Sequence, residues 1–188
     1  MALIRPFRGV HPRIDPTAFV ADNATIVGDV EIGARSSIWF GTVLRGDVFH
    51  IRIGAETSVQ DNTVIHVTHG AHATVVGDRV TVGHSVTLHD CKIGDRCIIG
   101  MSATVLDQAE IGDQVIVGAG SLVTPGARIP PRTLALGSPA RPKRQLTDEE
   151  LRWLDSSADH YVELVRAYLE DAGAAKPTSK PAKPKPPR

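Results

Sequence analysis

The chain reads as a mainly β protein: a parallel β-helix of hexapeptide repeats, closed by one C-terminal α-helix. Three observations carry that expectation. Aliphatic residues recur every six positions along most of the chain. Every third repeat, counted from Ile32, places glycine directly after its aliphatic residue. Beyond Pro139 the apolar spacing changes to steps of three and four. A helix needs a period of about 3.6 and a plain strand a period of about 2. A sustained six belongs to a solenoid in which each hexad makes a short strand and a bend.

Size and composition agree. The 188 residues suit one domain. Aromatics are 4% while hydrophobics are 41%, which fits a narrow interior filled by Val, Ile and Leu. Lys plus Arg and Asp plus Glu are both 21, so no basic field recommends a nucleic-acid partner. Met-Ala-Leu-Ile-Arg-Pro-Phe contains no long apolar run, so neither a signal peptide nor a membrane span is expected. The two cysteines, Cys91 and Cys97, are too few for a disulfide framework. They read as small, packed, reduced thiols in a cytoplasmic protein.

The elements follow in order. Residues 1–13 form an N-terminal segment, and the β-helix domain covers 14–140. Its beat runs Ile14, Val20, Ile26, Ile32, Ile38, Leu44, slips by three, and resumes at Ile53, Val59, Ile65. It slips by five to Val76, Val82, Leu88, loses one residue, and continues from Ile93 through Ile99, Val105, Ile111, Val117, Val123 and Ile129 to Ala135. The steps Ile32-Gly33, Ile53-Gly54, Val76-Gly77, Ile93-Gly94 and Ile111-Gly112 survive every slip, and the last three add Asp78, Asp95 and Asp113. Each coil is therefore three hexads, a triangular prism, with the slips as local loops or a tight corner. Gly, Ala, Ser and Asp are expected at the corners. The repeat itself leaves the handedness open; parallel crossovers are normally right-handed.

Thr147-Asp-Glu-Glu150 reads as a capping box. Leu151, Leu154, Ala158, Tyr161, Val165 and Leu169 then form the apolar stripe of a helix over 147–171, packed on the outside of the prism and stopped by Gly173 and Pro177. Residues 172–188, rich in Pro, Lys and Ala, are expected to be a disordered tail.

The repeat also places the histidines. His66 follows Ile65 and His89 follows Leu88, so they share one face, one coil apart. Neighbouring strands stack about 4.8 Å apart, so two imidazoles there can converge on one ion. Arg45 follows Leu44 in the same column. His84 is two residues past Val82, on the adjacent face, with Asp61 one coil below it beside Gln60. One chain cannot easily bring His84 round the corner, but a neighbouring copy can. If three prisms pack side by side, each interface gathers three histidines, and Arg45 nears the partner's Asp61. The expectation is a cyclic homotrimer with three equivalent sites. Three neutral imidazoles with an open position are the ligand set of catalytic zinc. His69 and His72 fall in the loop of the five-residue slip and are candidates for moving a proton. His11, His50 and His160 read as surface residues.

At these residues the chain resembles the γ-class carbonic anhydrases. Leu44-Arg45-Gly46-Asp47, Val59-Gln60-Asp61, Ile65-His66 and Gly83-His84 through Leu88-His89 match that family's motifs in order. The similarity covers most of residues 10–170, with Ile99-Gly-Met-Ser-Ala and Leu136-Gly-Ser-Pro-Ala among the later matches. The resemblance implies a left-handed β-helix trimer in which His66 and His89 of one subunit and His84 of the next hold Zn2+, with Fe2+ or Co2+ as alternatives. It implies that Arg45, Asp47 and Asp61 order the interface and site, that Gln60 orients a water, and that Tyr161 is a tyrosine near the site. The implied reaction is reversible hydration of carbon dioxide to bicarbonate. Val48 stands where the family's prototype has a glutamate, the loop from Val67 to Ala73 has no acid, and Ser58 stands where asparagine is frequent. Two other readings share the fold: a thioesterase or acyltransferase, and an assembly subunit of low activity whose metal staples the trimer.

Overall fold

The computed structural model describes residues 1–70 and 72–174. The tail beyond residue 174 therefore lies outside the described residues. Among the described residues the chain winds as a parallel β-solenoid with three faces and a single helix. In-register pairing stacks Ile26, Leu44, Ile65, Leu88, Val105 and Val123 on the first face. Ile14, Ile32, Ile53, Val76, Ile93, Ile111 and Ile129 stack on the second. Val20, Ile38, Val59, Val82, Ile99, Val117 and Ala135 stack on the third. Except for the partly buried Ile14 and Val20, these side chains are buried and form one continuous core. Burying each large aliphatic contributes about 1.5–3 kcal/mol.

The three slips have three different structures. The first is no loop: the strand Val43–Ile53 turns the corner unbroken, as does Thr25–Ile32 beneath it. Their register shifts past Gly28, whose φ of 77° and contact with the Gly46 carbonyl leave no room for a Cβ. Val48, inside this segment, packs partly buried against the core. The second slip is a loop between His66 and Thr74. The third is a tight corner at Asp90, φ 52°.

The corner after the second face shows why glycine and aspartate repeat. Asp78, Asp95 and Asp113 accept the backbone N–H groups of Ala55, Asp78 and Asp95 at 2.7, 2.8 and 2.9 Å. A Cβ on Gly54, Gly77 or Gly94 would overlap those carboxylates. Glycine does not make the bend itself. Arg35, Glu56, Arg79, Arg96, Gln114 and Arg132 do, at φ between 53° and 59°. Such a conformation costs a non-glycine residue on the order of 1–3 kcal/mol. Coil-to-coil bonds offset this, such as Glu56 N–H to Ala34 O and Arg79 N–H to Ala55 O, both 2.8 Å. The long side chains then form a charged ladder: Glu56 lies between Arg35 and Arg79, Arg79 reaches Asp159 at 2.8 Å, and Arg96 grips both oxygens of Asp155 at 2.8 and 2.6 Å.

Asp155 and Asp159 belong to the helix Asp148–Ala174, which covers the third face. Leu154 packs with Ile98, Ile116 and Leu146, while Tyr161 and Tyr168 meet Trp39 edge-on. Gly173 lies inside the last turn and does not end the helix; one glycine at a helix end costs only about 1 kcal/mol. Before the helix, Ala140–Gln145 folds back antiparallel on Thr133–Gly137 and closes the last coil. At the other end Leu3–Arg5 pairs with Thr25–Val27, so part of the N-terminal segment joins the first face.

At the helix start, Thr147 N–H donates to Glu150 Oε2 at 2.8 Å and Glu150 N–H donates to Thr147 Oγ1 at 3.2 Å. Arg144 adds two bonds to the same carboxylate, at 2.7 and 2.8 Å. The Arg144 guanidinium, with the Thr147 amide, lowers the Glu150 carboxyl from 4.5 to about 2. A carboxyl lowered on folding stabilises fully above its unfolded value and loses that contribution as pH falls through the folded one. Protection of the first-turn amides, relative to their intrinsic exchange rate, should therefore fall between pH 4.5 and about 2, and Glu150→Gln should flatten that dependence. Cys91 and Cys97 are both buried, which pushes each thiol up to about 12. They are packing groups, not nucleophiles or metal ligands.

Candidate metal centre

On the first face, strands Val64–His66 and Thr87–His89 pair in register, with His89 opposite His66. Ile65 and Leu88 point into the core, so the next side chain on each strand must point out. The two imidazoles meet at 3.2 Å between His66 Nδ1 and His89 Nε2. Each outer nitrogen has its own carboxylate: His66 Nε2 lies 3.1 Å from Asp47 Oδ1, and His89 Nδ1 lies 3.2 Å from Asp107 Oδ1. Arg45 Nη1 donates to Asp47 Oδ2 at 2.6 Å, and Thr68 Oγ1 donates to Asp107 Oδ1 at 2.9 Å. The result is a linear network: Arg45, Asp47, His66, His89, Asp107, Thr68.

The electrostatics set the tautomers. Burial raises the Asp47 carboxyl, but bonds from Arg45 and His66 outweigh it and leave it lowered. Asp107 is likewise raised by burial and lowered on balance by Thr68, its own backbone and His89. Ionised carboxylates only accept, so His66 Nε2 and His89 Nδ1 each donate a proton outward. Burial, with the Asp47 bond opposing it and the charges of Arg45 and His89 assisting it, leaves the His66 pKa lowered, which favours neutral imidazole. With the outer nitrogens engaged by carboxylates, the two facing nitrogens lie where two ligands of one cation would. Zinc–nitrogen bonds of 2.0–2.1 Å in a tetrahedron separate neighbouring nitrogens by roughly 3.3 Å. The residues therefore fit a divalent metal, each with the carboxylate partner that ligating histidines require.

The other expected residues fall into two separate groups. His84 Nδ1 binds Asp61 Oδ2 at 2.8 Å, with the His84 side chain 48% exposed. Gln60, buried, donates from Nε2 to the Tyr161 hydroxyl at 2.6 Å. Burial, with Asp61 nearby, raises the Tyr161 hydroxyl. His84, Gln60 and Tyr161 line one end of a groove of about 420 Å³ between the helix and the third face, walled by Ile98, Ile116 and Trp153. Among the described residues, no three His, Cys, Asp or Glu side chains of one chain are placed to hold a single ion. Arg45 engages Asp47 of its own chain, and Asp61 engages His84.

Asp107 and Thr68 were not expected from the sequence. The available signal was that a ligating histidine needs an acceptor on its second nitrogen. Asp107 is two residues beyond Val105, the residue stacked on Leu88.

A family model for bacterial transferase hexapeptide (six repeats) matches residues 90–125. The chain is 46% identical over 166 residues to a carbonic anhydrase of Geobacillus kaustophilus, covering 88% of this chain and 91% of that protein. It is 45% identical over 165 residues to the mitochondrial γ carbonic anhydrase 1 of Arabidopsis thaliana, covering 85% of this chain. It spans 60% of that plant protein's length. Among solved structures, a hexapeptide transferase family protein of Anaplasma phagocytophilum superposes with a TM-score of 0.85 at 45% identity, covering 88% of this chain and 98% of the other. No helix among the described residues is long and apolar enough to cross a membrane.

Proposed function

The chain belongs to the γ carbonic anhydrase family, and from that premise we propose that it hydrates carbon dioxide reversibly to bicarbonate at a metal centre shared between subunits. One observation carries the reading: two imidazole nitrogens face each other at 3.2 Å, and both outer nitrogens are held by carboxylates. When bound, a divalent ion such as zinc supplies Lewis acidity, bringing the ionisation of a water down toward a pKa of about 7.

The chain's own residues do the rest. His66 Nδ1 and His89 Nε2 are the ligand atoms of one subunit. His84, its Nδ1 held by Asp61, presents Nε2 to a neighbouring copy, so that a cyclic homotrimer holds three sites. Arg45 holds Asp47, and Asp47 holds His66. With its Nε2 donated to Tyr161, Gln60 is fixed so that Oε1 can accept a hydrogen bond from the attacking water. Carbon dioxide, which is apolar, enters the cleft between subunits. Adding water to it releases one proton, which leaves through the rings of His69 and His72 or through buffer.

Elemental analysis paired with stopped-flow hydration tests this. The protein should carry one metal per chain and hydrate carbon dioxide above the buffer rate. Chelation should remove the excess rate, and added zinc should restore it. A chelated protein with its rate intact overturns the reading. The groove beside His84 favours a second reading, hydrolysis or transfer of a thioester with an apolar acyl group, and turnover of a coenzyme A ester distinguishes it. Metal loss that dissolves the trimer, in a protein that turns over neither substrate, identifies an assembly subunit.

A further inference from the structure

Asp107 lies outside every motif that places the ligands, yet its position is closely determined. Its carbonyl accepts Gly126 N–H at 2.8 Å, and the next residue, Gln108, donates its N–H to Asp90 O at 2.6 Å. The residue is thus fixed to the coils on either side of it. One carboxylate oxygen, Oδ1, receives both His89 Nδ1 at 3.2 Å and Thr68 Oγ1 at 2.9 Å. Thr68 is in the loop that carries His69 and His72.

We propose that Asp107 is a positioning residue for the metal centre: it holds the Nδ1–H of His89 so that Nε2 faces His66, and through Thr68 it fastens the His69–His72 loop to the same carboxylate. This rests on the reading of His66 and His89 as ligands. An imidazole can present either nitrogen, and its choice follows the hydrogen bond that the other nitrogen makes. Without Asp107, nothing described on the outer side of His89 selects Nδ1–H. Asp47 performs the equivalent task for His66, so the two carboxylates brace the facing rings from opposite ends. The loop and the ligand then share one anchor, and metal uptake and loop order are linked.

The test uses the full chain loaded with zinc. Asp107→Ala should weaken zinc binding about 10–100-fold, measured by competition with a chelator. Asp107→Asn keeps an acceptor oxygen and should recover most of that loss. Thr68→Val should weaken zinc binding less than Asp107→Ala does, and should quicken amide exchange at His69 and Gly70, as Asp107→Ala should also do. By NMR, the His89 Nδ1–H of the wild type should exchange slowly with solvent and lose that protection in Asp107→Ala. If Asp107→Ala does not fold, Asp107→Asn and the wild-type imidazole signal decide the matter. Wild-type affinity with an unchanged Nδ1–H signal in Asp107→Ala, or a wild-type His89 Nδ1–H that exchanges as fast as an exposed imidazole, overturns the proposal alone. A wild type that takes up no zinc overturns the reading beneath it.

Discussion

On the proposed function, His89→Ala should abolish carbon dioxide hydration above the buffer rate and weaken zinc binding by more than about 100-fold, the upper end for losing even a partner of a ligand. The variant removes Nε2, one of the two nitrogens that face each other at 3.2 Å. His66 then remains as the only imidazole of that chain at the site. The scaffold should not suffer. Leu88, beside His89, is wholly buried and makes the core contact, whereas the imidazole points outward. In metal-free protein the fold should persist, with a change of about 1 kcal/mol for the lost bond to Asp107. Thermal melting of the metal-free forms checks this, and stopped-flow hydration checks the loss of rate. A His89→Ala protein that keeps both tight zinc binding and its rate would sink the assignment of the ligands.

Mixing chains restores what each lacks. If the proposed homotrimer holds, His84→Ala and His89→Ala proteins should each be inactive, because every site then misses one imidazole. When subunits exchange, a site is complete only where a His84→Ala chain supplies His66 and His89 and the next chain, His89→Ala, supplies His84. Random assortment around a cyclic trimer makes about one site in four complete. The mixture should therefore recover about a quarter of wild-type activity. Mass spectrometry under native conditions confirms that exchange has occurred. An exchanged mixture that stays inactive removes the shared site, because complementation has no other geometric source here.

Much of the architecture was legible because a solenoid is nearly one-dimensional: each coil contacts only its neighbours, so period and register follow from spacing. The columns through Leu44, Ile65 and Leu88, and through Val59 and Val82, stack as the six-residue beat implies. That alone puts His66 opposite His89. The corners were less legible. Small or polar residues were expected at the corners, as at Ser85, Asp90 and Gly120, but Arg35, Glu56, Arg79 and Arg96 turn the chain beside the second face. Inter-coil hydrogen bonds at those positions outweigh the local preference for glycine. Glycine is needed instead where coils approach too closely for a Cβ, as at Gly54 and Gly77.

Side-chain contacts outside the stacked columns were not legible from the repeat. Asp107 holds His89 from 18 residues away, Thr68 reaches Asp107 across 39, and Tyr161 meets Gln60 across 101. The helix rests on the third face through Leu154, Arg79 and Arg96. Periodicity determined the prism, the inward column and the face each histidine occupies, since these depend only on counting along a regular coil. Which nitrogen of each ring looks toward its neighbour, which acid braces it and how the helix meets Gln60 were decided by folding, since side-chain directions at loops and corners have no period to read.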